Sequence, residues 1–135
     1  MRLILGIMLA GWMIIIFWFS NQPATESSEI SGTISYRLVE DTDEIFNWGL
    51  TTDQIGNIAG NIEYPIRKAA HMTEYAIFSI FVMIALIVDG IKGVRIPVIS
   101  AVIAIAFAAT DEFHQTFVPG RYGCVLDVLI DAAGS

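Results

Sequence analysis

Seventeen consecutive residues without a charge, Leu3 to Phe19, constrain this chain more than any other feature. As a helix they rise about 26 Å at roughly 1.5 Å per residue, close to a hydrocarbon core of about 30 Å. A cleaved leader is the rival reading. The run exceeds the usual leader core of about 7–15 residues, and no A-x-A-like site follows Phe19, so an uncleaved anchor is expected. Two further apolar runs, Ala76–Val88 and Ile96–Ala109, hold 13 and 14 residues and are each too short to span. Reaching about 30 Å draws the second upstream to about Ala69 and the third downstream through Asp111–Gln115. A fourth apolar segment begins near Val125, and only 11 residues remain to Ser135.

The expected fold is therefore all-α, a polytopic membrane helical bundle in a single domain over 1–135. It has three complete spans, about 3–19, 69–88 and 96–117, and an incomplete fourth at 124–135. A hydrophobic fraction of 55% and a mean hydropathy of +0.64 exclude an ordinary soluble domain. The net charge of −7 and the absence of a basic run with interleaved aromatics exclude nucleic acid as a partner. Cys124, alone, makes no internal disulfide.

Eight of the fourteen acidic residues lie in the 49-residue loop 20–68, which separates the first two spans. Short amphipathic helices are expected within it. Thr51 with Gln54 reads as a capping box, after which Ile55, Ile58, Ala59 and Ile62 share a face. Asp41 with Glu44 opens another short helix carrying Ile45 and Phe46. Pro65 is expected at a first helical position, fixing where the second span starts. Val118-Pro119-Gly120-Arg121 has the residue order of a type II turn.

In a bundle that alternates direction, the end of span one, the start of span two, the end of span three and the start of span four share one side. That parity gathers Ser20, Asn21, Gln22, the long loop, Arg67–Tyr75, Asp111–Arg121 and Asp127 into one layer. The short basic flanks carrying Arg2, Lys92 and Arg95 place the N-terminus in the cytoplasm and the polar layer outside it.

Arg67, His71, Glu74, Tyr75 and Phe78 form one helical stripe, and Asp111, His114, Gln115 and Val118 form another; Asp127 and Asp131 share a face. A charge at membrane depth costs on the order of 2.5–3.5 kcal/mol even on the lenient insertion scale, so such groups pair, face the interior or mark function. Pairing between helices explains any single pair, but roughly a dozen polar groups at one depth exceed what holding four helices together requires. A metal site from His71, Glu74, Glu112 and His114 has acceptable ligand types, yet Glu112 and His114 are two apart and diverge on a helix. No H-E-x-x-H or Cys pair supports it, and no resident metal or cofactor is expected. A serine nucleophile lacks its elbow motif. The remaining reading is ligand recognition: Arg67, Lys68 and Arg121 offer donors to phosphate or carboxylate, Tyr75, Trp48 and Phe117 offer flanking rings, and the acidic lip favours cationic or zwitterionic ligands.

Arg67-Lys68-Ala69-Ala70-His71-Met72-Thr73-Glu74-Tyr75 resembles the R-K-x-A-H-x-x-E-Y motif of the VanZ-like membrane family. Asp111-Glu112-Phe113-His114-Gln115-Thr116-Phe117-Val118-Pro119-Gly120-Arg121 resembles that family's D-E-x-H-Q-x-F-x-P-G-R motif, and Asp127 to Asp131 with Gly134 resembles the start of its next helix. The resemblance implies a small helical protein of Gram-positive type envelopes, in a family whose founding member confers low-level resistance to the lipoglycopeptide teicoplanin. Its polar motif positions here are Arg67, Lys68, His71, Glu74, Tyr75, Asp111, Glu112, His114, Gln115, Arg121, Asp127 and Asp131. The leading expectation is a pocket for an envelope lipid or lipoglycopeptide headgroup. The alternatives are a membrane-embedded hydrolase or transferase acting on a lipid or lipid-linked precursor, with or without metal, and a structural or partner-binding subunit.

Overall fold

A computed structural model describes residues 1–120 and 128, and among them the chain is helical, with no strand. Four helices follow in order: α1 (Arg2–Ser20), α2 (Ala24–Phe46), α3 (Thr52–Val88) and α4 (Arg95–Gln115). Three of them, α1, α3 and α4, are long and apolar enough to cross a membrane. Arg121, Cys124, Asp127, Asp131 and the expected fourth span lie outside the described residues, apart from Val128.

The three apolar helices enclose one core of Ile16, Tyr75, Phe78, Val82, Ala104, Phe107 and Ala108, against which Trp12, Phe17 and Val128 pack. Phe107 of α4 is its hub, with its ring 5.0 Å from that of Phe78 and 5.5 Å from that of Phe17. Ser100 donates to the Ser79 carbonyl at 3.1 Å, joining α4 to α3. Outside this core the same helices expose Ile4, Ile7, Ile14, Trp18, Ile80, Ile87, Val98, Val102 and Ile105. Apolar side chains around a bundle this narrow suit lipid and not water, because lipid removes the cost of hydrating them.

The 20–68 loop departs from the expectation of short helices. α2 runs 23 residues, and Asp41 and Glu44 sit in its closing turns instead of opening a helix. It ends at Asn47, whose φ of 53° is the left-handed conformation that Asn tolerates after a helix. The Thr51–Gln54 capping box is present, with the two reciprocal bonds at 3.3 and 2.9 Å. From there α3 continues 37 residues without a break.

Pro65 is thus inside α3 and not at its start. Proline there removes the bond its N–H would give to the Asn61 carbonyl, a cost helices usually avoid. Asn61 and Pro65 are both exposed, just before the apolar part of the helix, where solvent can replace the missing donor.

At about 1.5 Å per residue α3 is about 55 Å long, against about 30 Å of hydrocarbon. The excess is its N-terminal half, against which α2 packs antiparallel through Val39, Ile55 and Ala59, with Tyr36, Leu50 and Ile62 around them. The molecule is an apolar three-helix bundle from which a two-helix hairpin projects. At the far end of the bundle Arg2 Nε lies 2.9 Å from Asp89 Oδ1, closing the start of α1 on the end of α3.

Candidate functional site

Where the hairpin leaves the bundle, the polar residues collect in two clusters. The first belongs to α2 and α3. Arg67 is ion-paired through Nη2 to Glu63, one turn earlier on α3, and the same nitrogen donates to Ser28 Oγ of α2 at 2.9 Å. Ser31 Oγ donates to Glu63 at 3.1 Å. Glu63 precedes the apolar stretch of α3. Burial raises its pKa, but hydrogen bonds from Ser31, Ser28 and Arg67, together with the Arg67 charge, lower it by more, leaving it below the ordinary 4.5.

One turn beyond Arg67, His71 Nδ1 lies 3.4 Å from Glu74 Oε2, with side-chain exposures of 12% and 18%. The Glu74 backbone carbonyl accepts the Trp12 indole N–H at 2.9 Å, holding α1 against this turn of α3. Three polar atoms here, Arg67 Nε, His71 Nδ1 and Glu74 Oε2, are buried with no hydrogen-bond partner among the described residues.

Those three residues line one pocket of about 330 Å³. Its apolar wall comes from Phe19 at the end of α1, Ile30 and Ile34 of α2, and Ile66 and Ala70 of α3. The pocket lies level with the end of α1, where the apolar spans give way to the polar hairpin.

The second cluster joins α1 to α4. Asp111 is fully buried, and its Oδ2 accepts from Ser20 Oγ at 2.6 Å and Gln115 Nε2 at 3.1 Å. His114 Nε2 is 3.3 Å from Asn21 Oδ1, and its ring packs 5.2 Å from that of Phe17. Glu112 is buried beside Asp111. Beyond α4 the chain turns through Pro119, whose carbonyl accepts the Ala24 N–H at 3.4 Å, so the end of α4 is tied to the first residue of α2. Gly120 has φ 76°, as the third residue of the expected type II turn requires.

A family model described as VanZ/LLP1 matches residues 5–135. The chain belongs to the VanZ/LLP1 family. Comparison with curated proteins and with solved structures gives no match.

Of the motif residues expected at the site of this VanZ/LLP1 chain, Arg67, His71 and Glu74 line the pocket, whereas Asp111, Gln115 and His114 form the α1–α4 cluster. Tyr75 is fully buried in the bundle core, 6.1 Å from Phe107 ring to ring. Lys68 turns away, its ammonium 5.7 Å over the Tyr64 ring. Arg121, Asp127 and Asp131 lie outside the described residues. No three of the described His, Cys, Asp or Glu residues converge as metal ligands, so the set of His71, Glu74, Glu112 and His114 is not assembled. Sequence reasoning missed Ser28, Ser31 and Glu63. For Ser31 a signal was present in the spacing: Ser27, Ser31 and Ser35 repeat every four residues on α2, a small-residue seam of the kind that lets another helix approach closely.

Proposed function

We propose that this VanZ/LLP1 protein is an integral membrane protein whose pocket, facing outward from the cell, binds the polar headgroup of an envelope lipid or lipoglycopeptide. One observation carries the reading. The 330 Å³ pocket combines an apolar wall with buried, unpartnered donors and acceptors on Arg67, His71 and Glu74, at the level where spans meet the polar hairpin. Burying such atoms without a partner costs about 1–3 kcal/mol each, and a ligand that supplies partners recovers that cost. Phe19, Ile30, Ile34 and Ile66 accept the apolar part of the same amphiphile.

The family resemblance connects such binding to lipoglycopeptide resistance, by changing how the envelope presents its targets. In cells that depend on this protein for teicoplanin resistance, Arg67→Ala or His71→Ala is expected to abolish that resistance at unchanged protein abundance. Intact resistance in both variants rejects the pocket.

A further inference from the structure

We infer that the headgroup this pocket takes is zwitterionic, a phosphate and a primary amine joined by a two-carbon link, carried on a membrane lipid. This rests on the headgroup reading above and deepens it.

The unpartnered atoms have opposite demands. Arg67 Nε only donates and needs an acceptor, while Glu74 Oε2 as a carboxylate oxygen only accepts; His71 Nδ1 stands 3.4 Å from it without forming a hydrogen bond, which leaves room for a closer donor. Arg67 and Glu74 are seven residues apart on one helix face, roughly 10 Å along the axis at about 1.5 Å per residue. Phosphate oxygens that accept from Arg67 offer no donor to Glu74. A phosphate and an amine two carbons apart bridge that gap with one bond at each end.

Charge selects in the same direction. Arg67 is already paired with Glu63, so its positive charge is largely matched before any ligand arrives. The hairpin beside the pocket carries Glu26, Glu29, Glu40, Asp41, Asp43, Glu44 and Asp53 against Arg37 and Lys68, so its field is negative. Such a field repels a ligand that is only anionic and admits one whose phosphate is balanced by its own ammonium.

The test uses the full chain in nanodiscs, titrated with short-chain phosphatidylethanolamine, phosphatidic acid and phosphatidylglycerol. The expected result is at least tenfold tighter binding of phosphatidylethanolamine than of the other two. Glu74→Gln, which keeps shape and removes the charge, erases that preference, with phosphatidic acid bound at least as tightly as before, while Arg67→Ala weakens all three. Equal or tighter binding of phosphatidic acid or phosphatidylglycerol, or a preference that survives Glu74→Gln, overturns the zwitterion and leaves a headgroup pocket standing. Binding of all three that Arg67→Ala leaves untouched overturns the headgroup reading itself. The comparison of three lipids on the unaltered protein holds even where a variant fails to fold.

Discussion

Asp111 has no exposure at all, and two of its hydrogen bonds come from Ser20 on α1 and Gln115 on its own helix. A buried carboxylate loses more when a donor is withdrawn than a neutral group does, because its desolvation is no longer offset. Ser20→Ala is therefore expected to destabilise the bundle by about 1–3 kcal/mol, read as a lowered unfolding midpoint in detergent. Gly120 is constrained in a different way. Its φ of 76° is open to glycine at little cost, and a Cβ added there meets the Ala24 Cβ at 3.2 Å. Gly120→Ala should cost roughly 1–2 kcal/mol from the backbone conformation alone, and the same melting measurement checks it. At this scale the sequence was informative about chemistry and less so about company. The spacing of Arg67, His71 and Glu74 placed them on one face, and they line one pocket. It did not reveal that Ser28 and Glu63 already occupy part of Arg67, with Ser31 donating to Glu63, because that depends on which face of α2 meets α3, and α2 carries apolar residues on more than one face.

Among the elements, α1 was legible from the length of its uncharged run, and α4 from an apolar run that reaches spanning length only when Asp111–Gln115 are drawn in. α3 was legible only in pieces. Its capping box marked a true start, but Pro65 reads the same at a first helical turn as inside a helix, and the length of the continuous helix emerges only from the packing of α2 along it. That packing has an electrostatic component at Glu63. Its folded-state pKa is depressed below 4.5, so its contribution to hairpin stability is fully present above the ordinary carboxylate range and is lost as pH falls through the lowered value. Comparing unfolding midpoints of the unaltered chain and Glu63→Gln across pH is expected to show a gap near neutrality that closes below about pH 4.5. A gap of constant size down to pH 3 removes this electrostatic account.

At the level of the whole molecule, two bodies share one helix. The bundle is held by apolar contacts around Phe107 and exposes aliphatic side chains outward; the hairpin is held by a thin seam of Ser31, Ser35, Val39, Ile55 and Ala59 and carries most of the acid. Because α3 passes unbroken from one to the other, Arg67, His71 and Glu74 sit at a fixed height above Val88. The 21 residues from 68 to 88 rise about 31 Å, nearly the average hydrocarbon thickness. Across a bilayer that this stretch just fills, His71 and Glu74 lie about 4 and 9 Å inside the hydrocarbon edge at residue 68, and a thinner bilayer brings them closer to the headgroups. On the proposed headgroup reading, the protein thereby carries its own depth gauge, and the meeting of pocket and headgroup becomes a property of the membrane's thickness as much as of its lipid composition.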